Sequence, residues 1–429
     1  MIVRIERFFI MLLVLPLLLG PAQAQLLGHG GPVRALAISP DGKHALSGSF
    51  DTSAIYWSLE RNVAEQVLRF HDSAVNAAAI LPDGRLVTGG EDGRIAVWQP
   101  GHAEPVKQFT GHTAPIVALA VSPDGKRIAS ASWDRTVRVW PVDGGDAMLL
   151  EGHRQNVNSV AFMPDGKAVV SVSHDPEVRI WPFGGGATTI VKVAAPLNSL
   201  AVAPDGEIVA GGGDGKVRFF SPQGEPRGEI EAAPTPVISI AVSGDGKLVA
   251  AAGIRGSVAI IERKERKLAH TLVGPGLPVW SVAFFPDGRT LLTGGTDRMI
   301  RRWNAVTGEP IGSVVMGAPE DPLVAYAGDH GAEVFRACVA CHTLTKGEGN
   351  KAGPTLAGIF GRKIATLPGY NFSPSLKQLD IVWTPETVAK LFEVGPMAYT
   401  PGTKMPEQKI TSADDRKALV EFLAKATKK

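Results

Sequence analysis

The stretch IVALAVSPDGKRIASASWDRTVRVW, residues 116–140, decides how most of the chain is read. Apolar side chains alternate through IVALAVS, again through RIASAS and again through TVRVW, with turn residues between the runs. Alternation at period two around a Gly-containing turn is the pattern of antiparallel strands. Moving outward, the same pattern returns. Pro-Asp-Gly or a near relative begins at Pro40, Pro82, Pro123, Pro164, Pro204, Gly244 and Pro286, at spacings of 42, 41, 41, 40, 40 and 42 residues. The third run of each unit ends on Trp57, Trp98, Trp140, Trp181, Phe220 and Trp303, with Ile261 in the sixth unit. A period of about 40 to 45 residues with several strands per unit predicts propeller blades rather than helical repeats.

Composition agrees. The chain has 429 residues, too many for one ordinary domain, and 49 glycines and 32 prolines favour short strands and tight turns. A formal net charge of +2 argues against a protein built around nucleic acid. Residues 1–24 read as a cleaved signal peptide. Arg4 and Arg7 precede an apolar run from Phe8 to Leu19, and Ala22-Gln23-Ala24 supplies the small-x-small cleavage pattern. The run is 12 residues long, short of the roughly 20 needed to span a bilayer. The mature chain is expected in the periplasm, without stable membrane insertion.

The repeats resemble the WD40 family over roughly residues 26–317. The marks are Gly-His at His29, His112 and His153, Phe-His at His71, and aspartates six residues before the closing aromatic: Asp51, Asp92, Asp134, Asp175, Asp214 and Asp297. The resemblance implies an all-β propeller of seven blades over residues 25–317, presenting a face to a protein partner. Repeats five to seven lack the Gly-His, and repeat six has Arg255 at the aspartate position. Those blades are expected to rest more on apolar packing than on polar groups. PIGSVVM, residues 310–316, reads as the outer strand of the last blade, leaving little or no strand exchange between the chain ends. Recurrence of the Asp-His pairs blade after blade marks scaffold rather than catalysis.

After a linker at 318–322 the texture changes. Residues 323–342 have helical spacing, and TSADDRKALVEFLAKATKK forms a terminal helix capped by Thr411 or Ser412, with Leu419, Phe422, Leu423 and Ala426 as its apolar stripe. Between them stands FRACVACHTL, residues 335–344, holding both cysteines of the chain. C-x-x-C-H is the attachment sequence for c-type haem. Cys338 and Cys341 would bond the two vinyl groups, and His342 would supply the proximal iron ligand. A zinc site would want a further ligand pair, and the only other histidine of this segment is His330. A thioredoxin-like dithiol would follow a strand, and a disulfide across two residues would close almost no loop.

Residues 328–429 resemble class I cytochrome c of the mitochondrial and bacterial c2 type, which implies an all-α domain over 323–429 carrying one covalent haem c. In that family the methionine of PGTKM binds iron, which points to Met405 and leaves Met397 as a packing residue. Gly353-Pro354 resembles the pair whose carbonyl orients the proximal histidine, and Arg362 and Trp383 match residues that hydrogen-bond the haem propionates. Gly331, Phe335 and Phe422 match the crossing of the first and last helices. Phe372 and Phe392 stand where better-known members carry tyrosines. Residues 25–321 hold 28 Lys+Arg against 31 Asp+Glu, and residues 322–429 hold 14 against 10. Lys346, Lys351, Lys363, Lys404 and Lys409 flank the haem motifs and could steer an acidic redox partner. The sequence therefore predicts an electron-transfer protein with a docking propeller and a redox partner that gives or takes electrons. One rival is an oxidoreductase whose propeller binds a substrate or second cofactor and whose haem accepts the electrons. The other is a haem-based sensor, which a fixed His/Met pair disfavours.

Overall fold

A computed structural model describes residues 25–274, 276–312, 323–345, 350–351, 353–368, 370, 372–403, 405 and 408–428. The expected signal peptide at 1–24, the expected linker at 318–322, Lys346 and Lys404 lie outside the described residues.

Seven four-stranded antiparallel sheets fill residues 25–304, and the innermost strand of each touches that of its neighbour around a closed ring. The repeated triplet has a local cause. Gly42, Gly84, Gly125, Gly166, Gly206, Gly246 and Gly288 all sit at φ between 66° and 88°, which side-chain-bearing residues rarely adopt. In the first blade Gly42 N–H donates to the Ser39 carbonyl at 2.8 Å, and the Asp41 carboxylate accepts from Lys43 N–H at 3.0 Å. The triplet thus builds the turn between the first two strands.

The Asp-His pairs belong to longer relays. In the third blade His112 Nδ1–H donates to Asp134 at 2.7 Å, Ser130 Oγ–H donates to His112 Nε2 at 2.7 Å, and Trp140 Nε1–H donates to the same hydroxyl at 2.8 Å. The same chain runs through His29, Asp51, Ser47 and Trp57, through His71, Asp92, Thr88 and Trp98, and through His153, Asp175, Ser171 and Trp181. The relay ties the second and third strands of a blade, the turn between them and the entering loop together, with the polar side chains satisfied in the buried interior.

Two expectations need correction. Blades five and seven are not left to apolar packing, because Asp214 and Asp297 turn to Arg218 and Arg301 four residues on, and Trp303 Nε1–H still donates to Thr293 at 3.0 Å. An arginine from the third strand replaces the missing imidazole. Blade six does follow the expectation, with Ile261 among Val249, Phe219 and Ala251. The chain ends do exchange a strand. Gln25–Leu27 pairs with Met299–Arg301 of the last blade, and Leu26, 1% exposed, is buried against Ile300, Ile55 and Trp57. Pro310 bridges Trp303 and Ile311 N–H donates to the Arg302 carbonyl at 3.0 Å, so the predicted outer strand is only half right. Residues 313–316 lie outside the described residues.

The C-terminal unit carries α1 (His330–Phe335), α2 (Pro374–Lys377), α3 (Pro385–Val394), α4 (Pro396–Tyr399) and α5 (Ala413–Ala426). The single helix expected over 323–342 is divided. Gly328 at φ 82° breaks it, and Asp329 then caps α1 by accepting from Ala332 N–H at 3.2 Å. Ser412 caps α5, accepting from Asp415 N–H at 3.2 Å. α1 and α5 cross at Gly331, where an added Cβ would strike the Ala418 carbonyl and lie 2.5 Å from Phe422 Cβ. Phe335 and Phe422 pack there with ring centroids 5.4 Å apart. No helix among the described residues is long and apolar enough to cross a membrane.

Candidate haem-binding site

A short turn follows α1. Cys341 N–H and His342 N–H both donate to the Cys338 carbonyl, at 3.1 and 3.0 Å. That closure brings both sulfurs and the imidazole to one cavity, and Met405 lines the same cavity. The other walls come from α2, α3, α5 and nearby loops: Ile364, Leu367, Leu376, Leu391, Leu419 and Leu423.

His342 is held on two sides. Its Nδ1–H donates to the Pro354 carbonyl at 2.7 Å, which leaves Nε2 carrying the ring lone pair. Gly353 lies against the ring face, where an added Cβ would come within 2.7 Å of Nδ1 and 2.8 Å of Nε2. Burial pushes the His342 pKa down to about 4, and the nearby Arg69 and Lys351 cations work in the same direction. The imidazole is therefore neutral at pH 7, the form a metal requires.

The thiols behave differently from a redox dithiol. Burial pushes Cys338 up to about 12, with Cys341 beside it adding to the effect, and burial also raises Cys341. A reactive thioredoxin-like pair needs a lowered thiol pKa. These two are instead poised as buried neutral sulfurs on one turn.

The remaining predicted residues fall as follows. Arg362 and Trp383 line the cavity. Arg362 donates to the carbonyls of Ala357 at 3.2 Å and Thr355 at 3.0 Å, and burial lowers its pKa. Among the described residues no carboxylate pairs with it, which fits an acid supplied by a bound group. Phe372 and Phe392 are both in the wall. Met397 is not the packing residue expected, because its side chain is 66% exposed. Lys363 pairs with Asp380 at 2.8 Å on the surface, and Lys351 donates to the Val339 carbonyl at 2.8 Å.

Three contributors carried no sequence signal. Tyr370 enters the wall, with burial raising its phenol to about 12. Val67 and Arg69 of the first propeller blade also line the cavity, and only tertiary structure brings them there. The Ser/Thr members of the relays did leave a trace, since each stands ten residues before its tryptophan.

A zinc reading gains nothing. Among the described residues the cluster compact enough for a metal is His153, Asp175 and Glu177. It belongs to the fourth-blade relay, and Arg179 engages Glu177 at 2.7 Å. The cavity of the C-terminal unit, by contrast, fits a haem: two thiols on one turn, a neutral nitrogen, a thioether and apolar walls.

Comparison with known proteins agrees with this geometry. Residues 328–427 match the cytochrome c family, residues 74–315 match the family described as IFT122 first β-propeller, and residues 20–58 match the WD domain, G-beta repeat. The chain is similar to cytochrome c of Cochliobolus lunatus, 43% identical over 99 residues that cover 23% of this chain and 91% of that protein. Cytochrome c of Arabidopsis thaliana is also 43% identical over 99 residues, covering 88% of that protein. Cytochrome c type-1 of Ascaris suum is 40% identical over 114 residues, covering 26% of this chain and 96% of the relative. These relatives imply a covalently bound haem c with its iron.

Proposed function

The chain belongs to the cytochrome c family through residues 328–427 and to the IFT122 first β-propeller family through residues 74–315, and from that premise we propose a periplasmic one-electron carrier whose propeller docks a protein partner. When bound, the haem supplies an iron that cycles between ferric and ferrous states. The observation that carries the reading is the convergence of Cys338, Cys341, His342 and Met405 on one cavity.

Each residue then has a definite task. Cys338 and Cys341 would hold the group on one turn, each S–H adding across a vinyl C=C so that sulfur bonds one carbon and the hydrogen goes to the other. His342 presents Nε2, held in that tautomer by the Pro354 carbonyl. Met405 sits in a loop held by its own N–H donating to Thr403 Oγ1 at 3.1 Å, and its thioether favours the reduced metal. Arg362, with no carboxylate partner of its own among the described residues, would pair with a propionate of the group. The leucine-rich wall excludes water, so that oxidation changes charge in a medium that reorganises little. The propeller contributes a rigid ring on which a partner is held near the carrier.

The oxidoreductase alternative has less support, because the propeller's His and Asp groups are consumed in relays that recur in four blades. The test is a spectroscopic redox titration of protein purified from the periplasm. The proposal expects one haem c with a methionine–iron charge-transfer band and a single one-electron wave. A second chromophore or a two-electron wave contradicts it.

A further inference from the structure

The haem cavity is not closed by its own domain alone. Val67 and Arg69 lie on the outer strand of the first blade, Val63–Arg69, two residues apart and so on one face of that strand. Both line the cavity that holds Cys341, His342 and Met405. Arg69 is buried and shares this cavity wall with Cys341 and His342. Among the described residues no carboxylate forms an ion pair with it. The acid nearest in its influence, Asp51, is already committed to His29 Nδ1–H at 3.0 Å and to Ser53 N–H at 2.9 Å. Asp51 keeps its negative charge and offsets part of the Arg69 field, but at Cys341 the Arg69 charge acts more strongly than Asp51 does, and burial limits screening by salt.

We propose that the first propeller blade closes the Cys341 side of the haem cavity, with Arg69 as a positioning residue whose fixed positive charge raises the reduction potential. This rests on the haem reading above. Ferric iron carries one more positive charge than ferrous iron, so a buried cation beside the group disfavours the oxidised state more than the reduced one. The propeller then does more than carry a partner: it sets the energy of the electron held next to it. Val67 supplies the apolar part of the same lid.

The test is a spectroelectrochemical titration of the full-length holoprotein at low and high salt. Arg69→Gln is expected to shift the ferric-to-ferrous ratio at fixed poise roughly tenfold toward ferric, with little change on adding salt. Arg69→Lys keeps most of the native ratio. Val67→Glu, which leaves Arg69 and the sheet in place, shifts the ratio in the same direction as Arg69→Gln. Arg61→Gln, an exposed loss of the same charge in the same blade, leaves the ratio native. An intact methionine–iron band with a native ratio in both Arg69→Gln and Val67→Glu overturns the proposal while leaving the haem assignment standing. Arg61→Gln shifting as far as Arg69→Gln also overturns it. Absence of haem from the native protein sinks the earlier reading instead.

Discussion

At the scale of single residues, the site divides into groups that make bonds and groups that make room. Met405 is the proposed second axial ligand, so Met405→Ala should abolish the methionine–iron charge-transfer band and lower the potential, whereas the exposed Met397→Ala should leave the spectrum native. Persistence of the band in the Met405 variant would reassign the ligand. Gly353 makes room. A methyl group there would strike the His342 ring at Cε1 and lie 2.7 Å from Nδ1, so Gly353→Ala should displace the imidazole and weaken the proposed proximal ligation, read as a loss of low-spin character in the visible spectrum. That Cys338, Cys341, His342 and Met405 would share one cavity was legible in the sequence, because covalent attachment and axial ligation would demand fixed residue types at fixed spacing. Tyr370, the exposure of Met397 and the engagement of Lys363 by Asp380 were not. They depend on which loop folds over which, and no local pattern encodes that.

At the scale of elements, each relay is a clamp on one blade. Ser130→Ala leaves His112 Nε2 and Trp140 Nε1 without their shared hydroxyl in a buried site. Leaving such groups unsatisfied costs about 1–3 kcal/mol, measurable as a lower urea midpoint. The relays also fix the acid limit of the propeller. Burial opposes the charged form of Asp51, Asp92, Asp134 and Asp175, but the histidine or backbone donor beside each one outweighs it and holds the carboxyl below its usual range. Their stabilisation is complete above the unfolded carboxyl value of about 3.9 and is lost as pH falls toward the folded values. His153 moves the same way from a higher start. Burial lowers its pKa, so the neutral form is favoured in the fold and stability begins to fall below the ordinary histidine value of about 6.5. Urea midpoints followed by β-sheet circular dichroism should therefore decline from pH 7 to 4 and drop steeply below 4. A flat profile would deny the relays this role. Pro-Asp-Gly spacing announced the blades because the turn needs a left-handed glycine. The closure at Gln25–Leu27 stayed hidden because three residues are too few to show a period, and their partners Met299–Arg301 lie at the far end of the propeller. Leu26→Asp should consequently loosen the last blade before the others, seen as early hydrogen exchange in residues 299–301.

At the scale of the whole molecule, a repeat that builds a scaffold is joined to a single-copy motif that holds a reactive group. Both halves were readable, since a 40-residue period and a C-x-x-C-H each reflect a physical requirement that sequence must meet directly. The entry of Arg69 and Val67 into the haem cavity was not, because it is a contact between units far apart in the chain. The proposed function rests on one covalent attachment, and intact-mass spectrometry of the natively purified protein tests it most directly. The predicted result is the mass of the chain beginning at Gln25 plus one haem, with no thiol free to alkylate and the added mass lost in the Cys338→Ser, Cys341→Ser variant. A bare polypeptide mass with two alkylatable thiols would contradict the account.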